Sequence, residues 1–188
     1  MKGEILVRRG ERLTPDTLGN LLSAGFQSVP VFAKPRVLFL PTGNELVPAG
    51  GVVPPGKNVE SNSVMICAML RRYGCQAPAG TIIPDDPVKL EAEILQGLRQ
   101  SDMVVIGAGS SKGSKDFTMD VLENLGTVIV QELGVAPGKH CSLTIVEGKP
   151  VLGIPGPPGG ARLIGQYYLQ AAAQLLATGG PFHEAKQL

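Results

Sequence analysis

The sequence has no tryptophan, and phenylalanine and tyrosine bring its aromatic content to only 4%. Aromatic platforms on which nucleic-acid bases stack are therefore scarce. Lysine and arginine nearly balance aspartate and glutamate, for a net charge of +1, and no basic run interrupts the chain. A clustered basic surface is the usual electrostatic footprint of a nucleic-acid-binding protein. Its absence argues against nucleic acid as the main partner.

The sequence also lacks a secretion signal, a membrane-spanning run and paired cysteines. Residues Met1–Gly10 carry four charged side chains and no apolar stretch typical of a signal peptide, and no run approaches the roughly 20 apolar residues of a membrane helix. The three cysteines, Cys67, Cys75 and Cys141, contain no C-x-x-C pair. This argues against a cysteine metal site and is typical of reduced thiols. We therefore predict a cytoplasmic protein that does not contact a membrane.

The apolar content of the chain and the order of its predicted elements indicate an α/β fold. Its apolar content of 43% suffices for a core, and its 25 glycines and 16 prolines are scattered among apolar segments, which indicates many turns. The uninterrupted apolar run Met103–Ile106 is typical of a strand covered on both faces. Predicted strands alternate with predicted helices, so we expect a three-layer, mostly parallel sheet with helices on both faces. An antiparallel hairpin around Glu147-Gly148 is expected to close one edge.

The individual elements follow from periodicity, caps and breakers. Strands are predicted at Glu4–Val7, Val37–Leu40, Ala77–Ile83, Met103–Ile106, Thr127–Val130, Cys141–Val146 and Pro150–Ile154. Helices are predicted at Pro15–Ala24, from Ser61 or Asn62 to Tyr73, at Pro87–Gln100, after Lys115 to about Asn124, and at Ala161–Ala177. We predict an N-terminal appendage at residues 1–34, an α/β domain at residues 35–180 and a tail at residues 181–188. The abrupt start favours a fragment of a longer protein.

Four loops leave the carboxyl ends of predicted strands, where open α/β sheets bind ligands. They are Thr42–Glu45, Pro84–Asp86, Gly107–Asp116 and Pro155–Gly160. The third combines glycines, which expose backbone N–H groups, with three serines and two lysines, a composition suited to a phosphorylated small molecule. Its spacing fits neither the Rossmann nor the P-loop fingerprint, and an ordinary βα turn remains the alternative.

An ordered set of short motifs makes the chain resemble a known family. The motifs are Thr42-Gly43-Asn44-Glu45-Leu46, Ser61-Asn62-Ser63, Ile83-Pro84-Asp85-Asp86-Pro87, Gly109-Ser110-Ser111-Lys112-Gly113-Ser114-Lys115-Asp116-Phe117, Pro137-Gly138-Lys139 and Gly153-Ile154-Pro155-Gly156. Together they resemble the molybdopterin-binding domain shared by MoeA, MogA and gephyrin, closest to the MoeA type, over about Val37 to Ala177. The resemblance includes neither most of the MoeA N-terminal region nor its C-terminal β domain.

The resemblance implies a role in molybdenum-cofactor biosynthesis, in which MoeA-type proteins insert molybdate into adenylylated molybdopterin with a divalent cation. It implies catalytic and Mg²⁺-binding roles for Glu45, Asp85 and Asp116, because Mg²⁺ prefers oxygen ligands. It implies that Lys139 helps to neutralise the anionic ligand and that molybdopterin is held by Thr42, Gly43, Asn44, Gly109, Ser110, Ser111, Gly113, Ser114, Pro137, Gly138, Lys139, Pro155 and Gly156. By the same analogy we expect a homo-oligomer, either a dimer or a trimer.

Several positions depart from the pattern of that family. Asn44 and Ser114 stand where the family usually has acidic residues, and Ala136 stands where it usually has lysine. The loss of carboxylates weakens a cation site and leaves ligand binding better supported than catalysis. Three functions remain open on the sequence: molybdate insertion, non-catalytic binding of molybdopterin for sensing or delivery, and a CinA-like activity on another nucleotide.

Overall fold

The computed structural model describes residues 3–107, 114–134 and 139–178, without the side chains of residues 114–116. The chain divides into two compact units, Met1–Ala33 and Lys34–Leu188. Of the helices within the described ranges, none is long and apolar enough to cross a membrane.

The first unit contains one helix, α1 (Pro15–Ser23). The Thr14 side chain caps it by accepting a hydrogen bond from the Thr17 N–H at 3.2 Å, and Pro15 supplies a preset backbone angle at the first helical position. The chain leaves the helix at Gly25, whose φ of +92° suits glycine. The predicted strand Glu4–Val7 is wrong, because these residues take no strand conformation and have no neighbouring strand among the described residues of this unit.

The second unit is built on a five-stranded sheet. Its strands are β1 (Val37–Pro41), β4 (Met103–Gly107), β5 (Thr127–Val130), β6 (Ser142–Val146) and β7 (Lys149–Ile154), in the order β1-β4-β7-β6-β5. The strands β1, β4 and β7 are parallel, whereas β6 is antiparallel to both of its neighbours. Two short strands, β2 (Leu46–Val47) and β3 (Asn58–Val59), form a separate parallel pair. The predicted mostly parallel α/β sheet is confirmed.

The antiparallel hairpin is present, but it does not form the outermost edge. Glu147 and Gly148 have φ angles of +50° and +76°, typical of the two-residue turn that joins adjacent antiparallel strands. The strand β5 pairs with the outer side of β6 and becomes the edge strand. The carboxyl end of β5 and the start of β6 therefore lie at the same rim of the sheet as the carboxyl ends of β1, β4 and β7.

The predicted strand Ala77–Ile83 is wrong as a continuous strand. The segment follows β1 in parallel through only three isolated bridges, at Gln76, Ala79 and Ile83. Pro78 has no N–H to donate to a ladder. Between the last two bridges this segment advances four residues, from Ala79 to Ile83, whereas the β1 side advances three, from Phe39 to Thr42. The extra residue interrupts the regular pairing. The segment still brings the loop after Ile83 to the carboxyl end of β1.

Helices cover both faces of the sheet, as predicted. They are α2 (Asn62–Arg72), α3 (Pro87–Gln100), α4 (Ser114–Leu125), α5 (Pro158–Ile164) and α6 (Gln170–Thr178), with a π-helical turn at Gly165–Leu169 joining the last two. One core cluster contains buried side chains of α2, α5, the π turn and α6, and the other contains those of α3 and α4. Successive strand residues alternate between the clusters: Met103 and Val105 belong to the first, Val104 and Ile106 to the second.

Both ends of α3 are fixed by side chains. The Asp86 carboxylate accepts hydrogen bonds from the N–H groups of Val88 at 3.0 Å and Lys89 at 3.2 Å, which makes Asp86 the N-cap. At the other end, the Lys149 ammonium donates to the carbonyls of Leu98 at 2.5 Å and Ser101 at 2.9 Å. A cation at a helix C-terminus is favourable because it satisfies otherwise unpaired carbonyls and opposes the helix dipole.

Candidate functional site

A cavity of about 370 Å³ opens at the carboxyl ends of the parallel strands. Its apolar lining comes from Phe39, Pro41, Leu46, Val59, Pro157 and Pro158, and its polar side chains come from Glu45, Asn58, Glu60, Ser61 and Asn62. The backbones of Gly107 and Gly156 complete the wall. The volume falls within the range of small-molecule sites, and the position is where open α/β sheets bind ligands.

The loop after β1 is held in place by backbone hydrogen bonds on both sides. The Thr42 N–H donates to the carbonyl of Gly107 at 2.9 Å, and the Gly43 N–H donates to the carbonyl of Ile83 at 3.0 Å. Thr42 is buried, and its hydroxyl has no hydrogen-bond partner among the described residues. Gly43 has a φ of +151°, and a Cβ there would lie 2.5 Å from the Glu45 carboxylate. The positive φ, which residues with a side chain rarely adopt, favours glycine at this position.

Asn44 and Asp85 bind each other across the two neighbouring loops. The Asn44 N–H donates to Asp85 Oδ2 at 3.3 Å, and the Asp85 N–H donates to Asn44 Oδ1 at 3.2 Å. The Lys57 ammonium also donates to the Asn44 carbonyl at 2.6 Å, which ties the start of β3 to the same loop. Asp85 is absent from the lining of the cavity. Its described contacts hold the loops together.

The N-terminus of α2 forms a second wall of the cavity, and the sequence analysis assigned none of its residues to the site. The Glu60 carboxylate accepts a hydrogen bond from the Ser63 N–H at 2.9 Å and a very short one from the Ser63 hydroxyl. Asn62 Nδ2 donates to the Gly156 carbonyl at 2.8 Å, which joins α2 to the loop after β7. The Ser61-Asn62-Ser63 motif was visible in the sequence, but it did not indicate which side chain meets which loop.

Of the predicted catalytic set of Glu45, Asp85 and Asp116, the structure describes the side chains of the first two. Glu45 lines the cavity, Asp85 pairs with Asn44, and the side chain of Asp116 lies outside the described residues. Within residues 3–107, 114–134 and 139–178, no group of three histidine, cysteine, aspartate or glutamate side chains is arranged to hold a metal ion.

The other predicted binding residues fall into three groups. Gly109, Ser110, Ser111, Gly113, Pro137 and Gly138, with the side chain of Ser114, lie outside the described residues. Gly156 lines the cavity directly beside the buried Pro155. Lys139 lies at the start of β6, where its ammonium is 3.5 Å from a Glu132 carboxylate oxygen, and the same carboxylate is 3.4 Å from the His140 ring. In this arrangement Glu132 balances the positive charge of Lys139.

Comparison with known proteins identifies the family. Residues 39–174 match the model of the family described as the probable molybdopterin binding domain. The molybdopterin molybdenumtransferase of Haemophilus influenzae is 31% identical over 157 residues, which cover 84% of this chain and 39% of that protein. The protein of the same name from Bacillus subtilis is 30% identical over 158 residues, covering 84% of this chain and 37% of the relative. The chain thus spans about two fifths of the length of these relatives.

Solved structures give the same result. A molybdopterin biosynthesis MoeA protein from Pyrococcus horikoshii superposes with a TM-score of 0.81 at 35% identity, over 95% of this chain and 44% of that one. A CinA protein from Thermoplasma acidophilum has a TM-score of 0.53 at 17% identity, over 70% of this chain and 94% of that one, which shows a shared fold alone. The resemblance inferred from the motifs is confirmed, and the chain belongs to the family of probable molybdopterin binding domains.

Proposed function

We propose that this chain binds molybdopterin at the carboxyl rim of its sheet and serves in molybdenum-cofactor biosynthesis. The observation that carries the proposal is the cavity at the ends of β1, β4 and β7, which lies within the residues that match the family. Apolar residues dominate its lining, and a few polar groups converge on it, as expected of a small-molecule site.

The ligand has two chemically different ends, and the rim offers different groups to each. Molybdopterin carries a planar pterin ring and a phosphate. The loop that follows Gly107 contains Ser110, Ser111 and Ser114, together with glycines at positions 109 and 113. Serine hydroxyls and exposed backbone N–H groups are suited to a phosphate, so we assign the phosphate to this loop.

Molybdate insertion is the finer part of the proposal. It rests on the likeness to molybdenumtransferases, of which the chain covers about two fifths. The described carboxylates do not fit a divalent cation by themselves, because no group of three metal-binding side chains comes together among the described residues. This chain's own part would be to hold the ring and the phosphate in position while the ligand reacts with molybdate. A dimer or trimer and a cytoplasmic location are also proposed.

A binding module without transferase activity is the second candidate. It is favoured by the paired contacts of Asn44 and Asp85, which engage both residues in holding the loops together. In these contacts the Asp85 carboxylate acts as a structural group that joins two loops. A sensing or delivery protein needs only the cavity and the phosphate loop.

Calorimetric titration of the 188-residue chain with molybdopterin, and with its adenylylated form, tests the proposal. Ser61→Trp places a large side chain in the wall of the cavity, whereas Val64→Trp places it at an exposed position of the same helix, outside the lining. We expect molybdopterin to bind the parent chain and Val64→Trp equally and Ser61→Trp at least about tenfold more weakly. Absence of binding to the parent chain would refute the proposed function.

Titrations with and without Mg²⁺ separate the two candidates. Tighter binding of the adenylylated form with Mg²⁺, followed by conversion when molybdate is added, supports the transferase. If the affinity is the same with and without Mg²⁺ and no product forms, the result supports the binding module.

A further inference from the structure

The charge of the cavity lining decides which end of the ligand it can accept. Among the described residues that line it, Glu45 and Glu60 carry negative charge and none carries positive charge. A phosphate placed there would meet two carboxylates, and the described lining residues include no lysine or arginine. The lining therefore favours a ligand end that is neutral and presents N–H donors.

From this arrangement we infer that the cavity binds the 2-amino-4-oxopyrimidine ring of its ligand and that the Glu60 carboxylate recognises the N–H edge of that ring. The inference rests on the proposed function and specifies it, because this ring is one end of molybdopterin. The same ring occurs in guanine, so the chemistry has two sources that the test must separate.

Glu60 precedes α2 and is positioned for this role by contacts with Ser63 in the first turn of that helix. One carboxylate oxygen accepts from the Ser63 N–H at 2.9 Å and the other from the Ser63 hydroxyl. Each carboxylate oxygen can accept a second hydrogen bond. In the ring, the N3–H and one hydrogen of the 2-amino group point the same way, as do two N–H groups of a guanidinium. A carboxylate accepts such a pair with both oxygens at once.

Asn62 supplies a second acceptor in the same wall. Its Nδ2 donates to the Gly156 carbonyl at 2.8 Å, which fixes the orientation of the amide. Its Oδ1 is then left buried, with no hydrogen-bond partner among the described residues. A buried acceptor of this kind is unfavourable until a donor reaches it. The remaining hydrogen of a 2-amino group bound to Glu60 is a donor of the right chemistry.

Apolar side chains form the surfaces against which a flat ring packs. The half-buried Leu46 and the exposed Pro157 and Pro158 present such surfaces to the cavity, whereas Phe39 and Pro41 are buried in its wall. These groups provide apolar area, while the acceptors lie on α2 and in the segment just before it. The arrangement resembles that of small-molecule sites in which a few polar groups orient a mostly apolar contact.

The test compares ligands that differ only at the amino group. The 188-residue chain is titrated with 6-hydroxymethylpterin and with 6-hydroxymethyllumazine, in which an oxygen acceptor replaces the 2-amino donor. We expect the pterin to bind at least about tenfold more tightly, because a site built around a hydrogen-bonded donor rejects ligands that lack it. Inorganic phosphate is expected not to displace the pterin. Equal binding of the two ring systems, or displacement by phosphate, would overturn the inference.

Substitutions at single carboxylates show which residue distinguishes the pterin from the lumazine. Glu60→Gln keeps an oxygen for the Ser63 contact but places an N–H donor against the ring, so we expect about a tenfold or greater loss of pterin affinity. Glu123→Gln, on the exposed surface of α4, is the matched control and should bind as the parent does. Unchanged affinity in Glu60→Gln would refute the role of Glu60. If Glu60→Gln does not fold, the pterin-to-lumazine ratio of the parent chain decides alone.

Two further titrations separate this inference from the function on which it rests. Molybdopterin that binds the parent chain and Glu60→Gln equally would leave the function standing and remove the inference. Guanosine that binds as tightly as the pterin, and more weakly to Glu60→Gln, would support the ring assignment and count against molybdopterin as the dedicated ligand.

Discussion

Gly107 lines the cavity at a position that leaves little room for a side chain. A Cβ at this position would lie 2.6 Å from the Phe39 ring atom Cζ and 3.3 Å from Cε2. Phe39 is fully buried, so its ring has little space into which to move. Gly107→Ala is therefore expected to overpack the core beneath the cavity.

The expected magnitude follows from two opposing effects. Overpacking a core by one methyl group costs about 1–3 kcal/mol, whereas replacing a glycine inside a strand by alanine gains about 0.5–1 kcal/mol through the lower entropy of the unfolded chain. We expect Gly107→Ala to lower the free energy of unfolding by about 1 kcal/mol, the difference of the mid-range values of these terms, within bounds of about 0 and 2.5 kcal/mol. Gly159→Ala is the control, because a Cβ there has no atom within 4 Å, and it should stabilise by about 0.5–1 kcal/mol.

A double-mutant cycle with Phe39→Leu tests the cause. Phe39→Leu alone removes buried volume and should cost about 1–2 kcal/mol. In the double variant the alanine methyl occupies part of the space that the ring has left, so the total cost should be smaller than the sum by at least about 1 kcal/mol. Urea denaturation followed by circular dichroism supplies the four free energies. Additivity within about 0.5 kcal/mol, or stabilisation by Gly107→Ala alone, would refute the reasoning.

Two other predictions concern stability away from the cavity. Lys149→Met removes the two hydrogen bonds to the carbonyls of Leu98 and Ser101 and should lower the free energy of unfolding by about 2–4 kcal/mol in thermal or urea denaturation. The control is Lys89→Met, whose exposed ammonium is 3.8 Å from Asp86 and which should cost less than about 1 kcal/mol. Equal costs for the two variants would contradict the capping role of Lys149. Burial raises the pKa of the Cys75 and Cys141 thiols from 9.0 to about 11. Each thiol thus ionises more readily in the unfolded chain, so the stability that they contribute is full below pH 9 and is lost as the pH rises to about 11. Denaturation at several pH values checks this trend, which should flatten in a Cys75→Ala, Cys141→Ala double variant.

Short-range sequence patterns were enough to predict most of the fold. The Asp86-Pro87 pair carries both a capping carboxylate and a preset first helical residue, and the helix begins there. The apolar run from Met103 correctly indicated a buried strand, because a strand covered on both faces typically reads as a short continuous apolar run. The strand predicted at residues 77–83 was wrong because local patterns do not show pairing. Its apolar residues indicate a strand, but Pro78 interrupts the ladder.

The site was harder to predict because its contacts join distant parts of the chain. Asp85 was expected to act on a ligand, but in the fold it meets Asn44, 41 positions away. Glu60 has no distinctive sequence pattern, and it borders the cavity because α2 begins at the carboxyl end of β1. The bond from Asn62 to the Gly156 carbonyl spans 94 positions. Such pairings depend on strand order, which local periodicity does not encode.

A crystal structure of the 188-residue chain with molybdopterin bound would test the proposed binding mode most directly. We predict that the pterin ring lies in the cavity at the ends of β1, β4 and β7, with its N–H edge within hydrogen-bond distance of Glu60 and Asn62. We also predict that the phosphate lies against the loop that follows Gly107. A phosphate inside the cavity beside Glu45 and Glu60, or a ligand bound elsewhere on the chain, would contradict the proposed binding mode.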